Sequence, residues 1–370
     1  MTPVRLGIIG CGAIAQVQHL PNLAMLTEEF EVTVVCDISS ALAEYVANWF
    51  HVPRYVTDYR DVMSSNDVDA VLLLHPNPKA EVAVAAFDAG KHVFLEKPIC
   101  TSLQQADSMI AAARKSGKVG MAGYMKVYDP AYLVAQAEVD SMSDIRFVQV
   151  NHIHTDNNLH LNNFRVKHFD DLPASVKEEG RDYSKAATYA ALGEVPAPVE
   201  RALAMASGMI HDIYSLRLML GMPNKVISTE LWSESNSLTF MLEYPNGARC
   251  VASRVELPYL WDFKETLEVY GDSKRVLLSV PTGFSRGILS TLTVQEMDEK
   301  GNAYSKQPTV PWHTAFTQEL LHFHECITKG TPCRTSLEEG RNDVSLIIDI
   351  AKSYMNRSPV SVSDGQSAKQ

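Results

Sequence analysis

Gly7-Ile8-Ile9-Gly10-Cys11-Gly12-Ala13-Ile14-Ala15 decides how this chain is read. It closes a short apolar run, Val4–Ile9, and opens a stretch with helical spacing, Ala13–Leu26. Gly10, Gly12 and Ala15 fill the pattern G-x-G-x-x-G/A between that strand and that helix. Gly10 permits the tight turn, Gly12 lets the backbone approach a pyrophosphate, and Ala15 keeps helix and strand close. The free N–H groups where the helix starts, at Ala13 and Ile14, add a dipole suited to an anion.

Working outward, the next strand, Glu31–Cys36, ends at Asp37. A carboxylate there accepts hydrogen bonds from the adenosine ribose and repels a 2′-phosphate. Ile38-Ser39-Ser40 brings no Arg to pair with that phosphate, so NAD is expected over NADP. Three more apolar runs, Val68–Leu74, His92–Leu95 and Val119–Gly123, alternate with helical patterns over Ser40–Phe50, Lys79–Ala89 and Ser102–Ser116. This alternation predicts βαβ units around a parallel sheet covered on both faces. Ligands in such sheets lie at the carboxyl ends of the strands. Pro76 and Asn77 after one strand, and Glu96-Lys97-Pro98 after the next, are therefore candidate cofactor contacts, with Lys97 placed for chemistry.

The pattern changes near residue 124. A helix is expected over Asp129–Val139 and a strand over Ile145–His154. An irregular polar stretch, Thr155–Pro198, then precedes a helix from about Glu200 to Leu220. A connection of that length serves as part of the substrate pocket or its lid, or is a peripheral insertion. Val226–Asp298 reads as strands, with Pro245-Asn246-Gly247 and Gly271-Asp272-Ser273 as turns. Helices over Ala315–Thr328 and Leu337–Met355 follow, then a polar tail. The expected fold is α/β: a dinucleotide-binding domain over 1–124 and a second α/β domain over 125–356 with a large, mostly antiparallel, open-faced sheet. Residues 357–370 form the tail. One face of such a sheet is free for a partner, which predicts a homo-oligomer, dimer or tetramer.

Composition narrows the partners. A net charge of −11 with no Lys/Arg-rich run argues against nucleic acid. No apolar stretch approaches a membrane span, and no leader is visible. The six cysteines are scattered without a C-x-x-C pair and read as reduced thiols, which suits the cytoplasm. His152 and His154 alternate on one strand face, with His160 and His168 beyond, but no helical Glu/His pair or Cys set accompanies them, so no metal is expected.

Gly10-Cys11-Gly12-Ala13-Ile14-Ala15, Asp37 and Ala86-Phe87-Asp88-Ala89-Gly90-Lys91-His92-Val93-Phe94-Leu95-Glu96-Lys97-Pro98 together resemble the Gfo/Idh/MocA oxidoreductases. Gly123-Tyr124-Met125-Lys126-Val127-Tyr128-Asp129-Pro130 and Glu268-Val269-Tyr270-Gly271 are similar to later landmarks of that family, and the likeness runs along essentially the whole chain. The resemblance implies a Rossmann domain followed by an α/β domain whose open sheet face commonly forms the oligomer interface. It implies reversible redox of a secondary alcohol or ketone on a sugar, glycoside or cyclitol. It also implies that Lys97 sits between nicotinamide and substrate, holding the reacting oxygen and moving its proton.

Many members of the family carry an Asp four residues before a His, both facing substrate. Here His211 matches the His, but Ser207 stands at the Asp position. On one continuous helix a spacing of four places both on one face. Ser207 can then hydrogen-bond a hydroxyl but cannot act as a carboxylate base, which leaves Lys97 and His211 as the acid–base pair. Asp212 faces elsewhere and is expected to be structural. Tyr124, Lys126, His154 and Arg165 are candidate substrate contacts, with Asn157, Asn158 and His160 as further ones in the insertion. Two other readings stay open on the same scaffold: glycoside cleavage assisted by NAD through transient oxidation and elimination, and a non-catalytic NAD-binding sensor.

Overall fold

The computed structural model describes residues 2–356, so the expected tail over 357–370 lies outside the described residues. Strands β1 (Val4–Ile9), β2 (Phe30–Cys36), β3 (Tyr55–Val56), β4 (Ala70–Leu73), β5 (His92–Glu96) and β6 (Gly120–Gly123) form one sheet in the order β3-β2-β1-β4-β5-β6. Every pairing in it is parallel. The order reverses between β1 and β4, and ligands of doubly wound sheets bind beside that switch point. The strands are nearly all apolar because helices cover both faces. Those helices include α1 (Leu20–Leu23), α2 (Ser40–Trp49), α3 (Tyr59–Met63), α4 (Lys79–Asp88) and α5 (Leu103–Ser116). β3 and α3 were not expected; both are too short to leave a periodic signal.

The expected helix over Ala13–Leu26 is broken differently from its sequence pattern. A π-helical turn, Ala15–His19, runs into α1 and the helix stops at Leu23. π turns recur at functional sites. This one sends three polar side chains to other segments: Gln16 to Lys167, Gln18 to Gly283 and Ser285, and His19 to Glu96.

Beyond α6 (Pro130–Asp140) lies the second sheet, built from β7 (Phe147–His154), β8 (Lys225–Trp232), β9 (Ser237–Glu243), β10 (Arg249–Glu256), β11 (Lys264–Tyr270), β12 (Lys274–Val280), β13 (Thr291–Met297) and β14 (Ala303–Lys306). Its order is β14-β13-β12-β11-β7-β10-β9-β8. It is antiparallel except where β7 runs parallel to β10, so it is mixed at its centre. Both expected turns join neighbouring strands there.

The stretch over 155–198 is not irregular, as its polarity suggested. It holds α7 (Asn157–Leu161) and a helix of 19 residues, α8 (Ala174–Leu192). Only Ala187 and Leu192 of α8 are buried, so the helix has almost no apolar stripe to announce it. The expected single helix from Glu200 to Leu220 is two, α9 (Ala197–Gly208) and α10 (Ile210–Leu220), which meet at Met209.

The last two helices, α11 (Ala315–Lys329) and α12 (Leu337–Ser353), return to the parallel sheet. Ala122 N–H donates to the Thr335 carbonyl, and α12 packs on α5 and β6 as well as on α9, α10 and β8. Buried Arg217 of α10 donates to the Asp343 carboxylate of α12 at 2.8 and 3.1 Å, which fixes α10 between the two sheets.

Candidate active site

The glycine turn has the shape a dinucleotide requires. Gly10 has a φ of +100°, and a Cβ there would lie 2.5 Å from the His75 backbone nitrogen. Only glycine allows both the turn and the close approach of the segment after β4. At Gly12 a Cβ would meet nothing within 4 Å, so its position opens onto free space, where a pyrophosphate can come against the backbone. Asp37 accepts the Cys11 N–H at 2.8 Å and the Ser39 N–H at 2.9 Å, which fixes its carboxylate at the end of β2 and still leaves lone pairs for ribose hydroxyls. These residues fit a bound dinucleotide. Pro76 is exposed and Asn77 half-buried in the segment just beyond β4, beside the turn.

Lys97 follows directly on β5 and is held from below. The buried Lys79 ammonium of α4 donates to the carbonyls of Glu96 and Pro98 on either side of it, at 2.5 and 2.9 Å. Burial pulls Lys79 down to about 8. The Glu96 carboxylate turns inward: it meets His19 Nε2 at 2.8 Å and accepts the Lys97 N–H at 3.1 Å. Lys97 itself has a lowered pKa, first because it is desolvated, with Lys126 and Arg254 adding to the effect and Glu96 opposing it.

Lys97 lines a cavity of about 240 Å³ together with Ile14, Lys126, His154, His211 and Arg254. Strand register builds its far wall. Arg254 of β10 and Glu265 of β11 both stand opposite His152 of β7, so three neighbouring strands present an Arg, a His and a Glu in one row. Glu265 is ion-paired with Lys126. Arg254 is ion-paired with Glu256 at 2.7 Å and lies over Gly208, where a Cβ would be 1.9 Å from its Nη1.

Buried His152 meets Asp212 through Nδ1 at 2.7 Å and His154 Nδ1 through Nε2 at 3.4 Å. Burial pushes His152 down to about 4 and Asp212 up to about 6. Near neutral pH a neutral His152 therefore donates its Nδ1–H to the Asp212 carboxylate. Its Nε2 then accepts from His154, and the outer nitrogen of His154 is left to the cavity. On α10, His211 Nδ1 meets the Tyr214 hydroxyl at 2.8 Å. Desolvation, then Lys97 and Lys126, drive the His211 pKa well down, so it is neutral.

The structure brings Lys97, Lys126, His154 and His211 together, and Glu96 with them in the floor. Asn157 reaches the same cavity, while His160 lines an adjoining hollow and packs on Trp261. Four expected contacts fall elsewhere, and one of them, exposed Asn158, lines none of these hollows. Tyr124 is fully buried with its ring stacked on Tyr214 at 4.1 Å, so it supports the wall instead of touching substrate. Arg165 is exposed and lines none of these hollows. Ser207 does not share a helix with His211, because the break at Met209 intervenes; Gly208, not Ser207, reaches the cavity. His152, Asp212, Arg254, Glu265 and Lys79 were not proposed as site residues. The alternation of His152 and His154 was their only local signal; the others depend on pairing between segments far apart in sequence.

A parallel sheet with a phosphate-binding glycine turn, set against a mixed sheet that walls a lysine-bearing cavity, is the architecture of two-part nucleotide-dependent oxidoreductases. Residues 4–124 match the oxidoreductase family with an NAD-binding Rossmann fold, Gfo/Idh/MocA. Inositol 2-dehydrogenase from Salmonella typhimurium is 34% identical over 141 residues, 37% of this chain and 42% of the relative. That match thus spans about two fifths of the curated relative's length. A scyllo-inositol 2-dehydrogenase (NAD(+)) from Bacillus subtilis is 23% identical over 378 aligned positions, covering 96% of both chains. In fold, the chain is similar to KijD10, a 3-ketoreductase from Actinomadura kijaniata in complex with NADP and TDP-benzene, with a TM-score of 0.72 at 20% identity over 95% of this chain and 98% of that one. Residues 4–124 thus carry the NAD-binding Rossmann fold of the Gfo/Idh/MocA oxidoreductases.

Proposed function

We propose that the protein transfers a hydride between NAD and a secondary alcohol or ketone of a sugar, glycoside or cyclitol. The observation that carries this reading is the desolvated Lys97 amine at the end of β5, facing a small cavity lined by His154, His211, Lys126 and Arg254. Such a lining offers many donors and acceptors to a hydroxyl-rich ring. Asp37 beside the glycine turn supports NAD over NADP. Bound NAD would supply the hydride acceptor or donor; the chain's part is to orient the substrate and move the proton. Lys97 holds the reacting oxygen. With its pKa lowered by burial, it takes the hydroxyl proton as a ketone forms and returns it in reduction. Neutral His211, oriented through Tyr214, binds a neighbouring hydroxyl. Two hollows of about 320 and 480 Å³ share Thr282 with the cavity and leave room for a substituent on the ring.

The chain Asp212–His152–His154 favours a second reading. It delivers a further base to the cavity, as cleavage of a glycoside by transient oxidation and elimination requires. The half-open outer face of the second sheet, with Thr239, Met241, Val251, Ser253, Leu277 and Thr293 pointing outward, supports self-association.

The test is a reduction screen with NAD and NADP over sugars, glycosides and inositols, repeated with Lys97→Ala. Turnover should fall by about 10²–10⁴-fold while NAD still binds; near-normal turnover removes Lys97 from the chemistry. Product cleavage without net NADH would select the second reading, and tight NAD binding without any turnover would select the sensor.

A further inference from the structure

The segment between α7 and α8 is bonded to the helix that follows the glycine turn and to the start of α2. The Gln16 carboxamide grips its backbone twice, donating to the Lys167 carbonyl at 3.0 Å and accepting the Lys167 N–H at 2.9 Å. The same carboxamide donates to the Cys11 carbonyl at 2.9 Å, which ties the segment to the turn that takes the pyrophosphate. Four residues on, the Asp171 carboxylate accepts the Ser39 hydroxyl at 2.6 Å and the Ala41 N–H at 3.1 Å. These bonds hold the Asp171 carboxyl below its usual range.

Ser39 and Ala41 matter because of where they stand. Ser39 is the N-cap of α2, two residues past Asp37, and its N–H already goes to Asp37. In a dinucleotide complex the carboxylate at this strand end takes the ribose hydroxyls. A 2′-phosphate would then draw on the next donors along the chain, the Ser39 hydroxyl and the Ala41 N–H in the first turn of α2. Asp171 occupies both with a negative charge of its own.

We propose that Asp171 is a specificity-determining residue of the cofactor site, an anion built into the place a 2′-phosphate would take, so that the insertion enforces selection of NAD. This rests on the NAD reading above and deepens it. Asp37 alone competes for the ribose hydroxyls; Asp171 takes up the Ser39 hydroxyl and the Ala41 N–H and adds like-charge repulsion against a phosphate. The effect is electrostatic and close to the surface, so salt should weaken it.

The experiment is equilibrium binding of NADH and NADPH, followed by nicotinamide fluorescence, to the full chain and to Asp171→Asn and Asp171→Ala. Wild-type protein should bind NADH more tightly, with a margin that narrows as salt rises. Both variants should gain about tenfold or more in NADPH affinity, while the NADH constant moves by no more than about twofold. A wild-type preference for NADH that neither variant changes overturns the role of Asp171 and leaves the NAD reading standing. Loss of NADH affinity without any gain for NADPH also overturns it, since that is what a merely structural tether would give. A wild-type preference for NADPH overturns the NAD reading and the proposal together.

Discussion

The two walls of the cavity are made by different means. On the parallel sheet, Gly10, Gly12, Asp37 and Lys97 each sit at or just beyond the carboxyl end of a strand, and a few adjacent residues fix each position. On the mixed sheet, Arg254, His152 and Glu265 come from three strands, and only the register of β10, β7 and β11 puts them side by side. The first wall is a set of local turns on a common scaffold. The second is a row of charges whose membership would change if one strand slipped by a single residue, because such a slip turns every side chain to the opposite face. A wall of local turns should tolerate changes across the cavity, and a wall set by strand pairing should tolerate changes in the glycine turn.

Changes that strike one wall should therefore spare the other. The largest effect after loss of Lys97 is expected at the second acid–base chain. His152→Ala or Asp212→Asn should lower turnover by about 10–100-fold and shift the pH–rate profile, with NAD affinity unchanged in titrations. An unchanged pH profile in both would make the pair structural only. Gly208→Ala comes next. Its methyl would meet Arg254 Nη1 at 1.9 Å, and since that atom is the end of a flexible side chain, the guanidinium should move while the fold holds. KM for substrate should rise by about tenfold with kcat changed less. An equal rise in the NAD constant would mean that the two walls are not separate.

The smallest effect is on stability with pH. Burial holds His92, His152 and His154 down to about 4 from 6.5. Between those values the unfolded chain takes up protons that the folded chain refuses, so stability present above pH 6.5 is lost as pH falls toward 4. Asp212, raised from 3.8 to about 6, works in the opposite direction, as do buried Glu265 and Glu319, while His75 and His211 add to the histidine side. The melting temperature measured by calorimetry should be lower near pH 5 than at pH 7 by about a few degrees. His152→Asn should flatten that slope, whereas Lys97→Ala should leave it in place.

The parallel half of the fold was legible because its signals are short in range. An apolar strand, a glycine turn and a helix start are all contained in Val4–Ala15, and the carboxylate and lysine lie at ends of strands that read clearly. Two local readings failed where local pattern and final packing differ. The stretch from Glu200 to Leu220 has helical spacing throughout, yet it breaks at Gly208-Met209, where Arg254 from another strand lies against the glycine. α8 buries only Ala187 and Leu192, and its first stretch, 174–185, is mostly polar, so the segment reads as a loop from sequence.

The opening motif and the apolar strands after it were thus sufficient to determine the sheet class and to put Asp37 and Lys97 at strand ends. Such features follow from backbone conformations that neighbouring residues impose. Tertiary structure alone decided that Asp212 reaches the cavity through His152, that Tyr124 is wall and not contact, that Arg254 and Glu265 share a row, and that Asp171 lies on the donors after β2. Asp171 and Ser39 are 132 residues apart in the chain. Pairings of that kind are set by strand register and helix packing, which no local pattern in the sequence encodes.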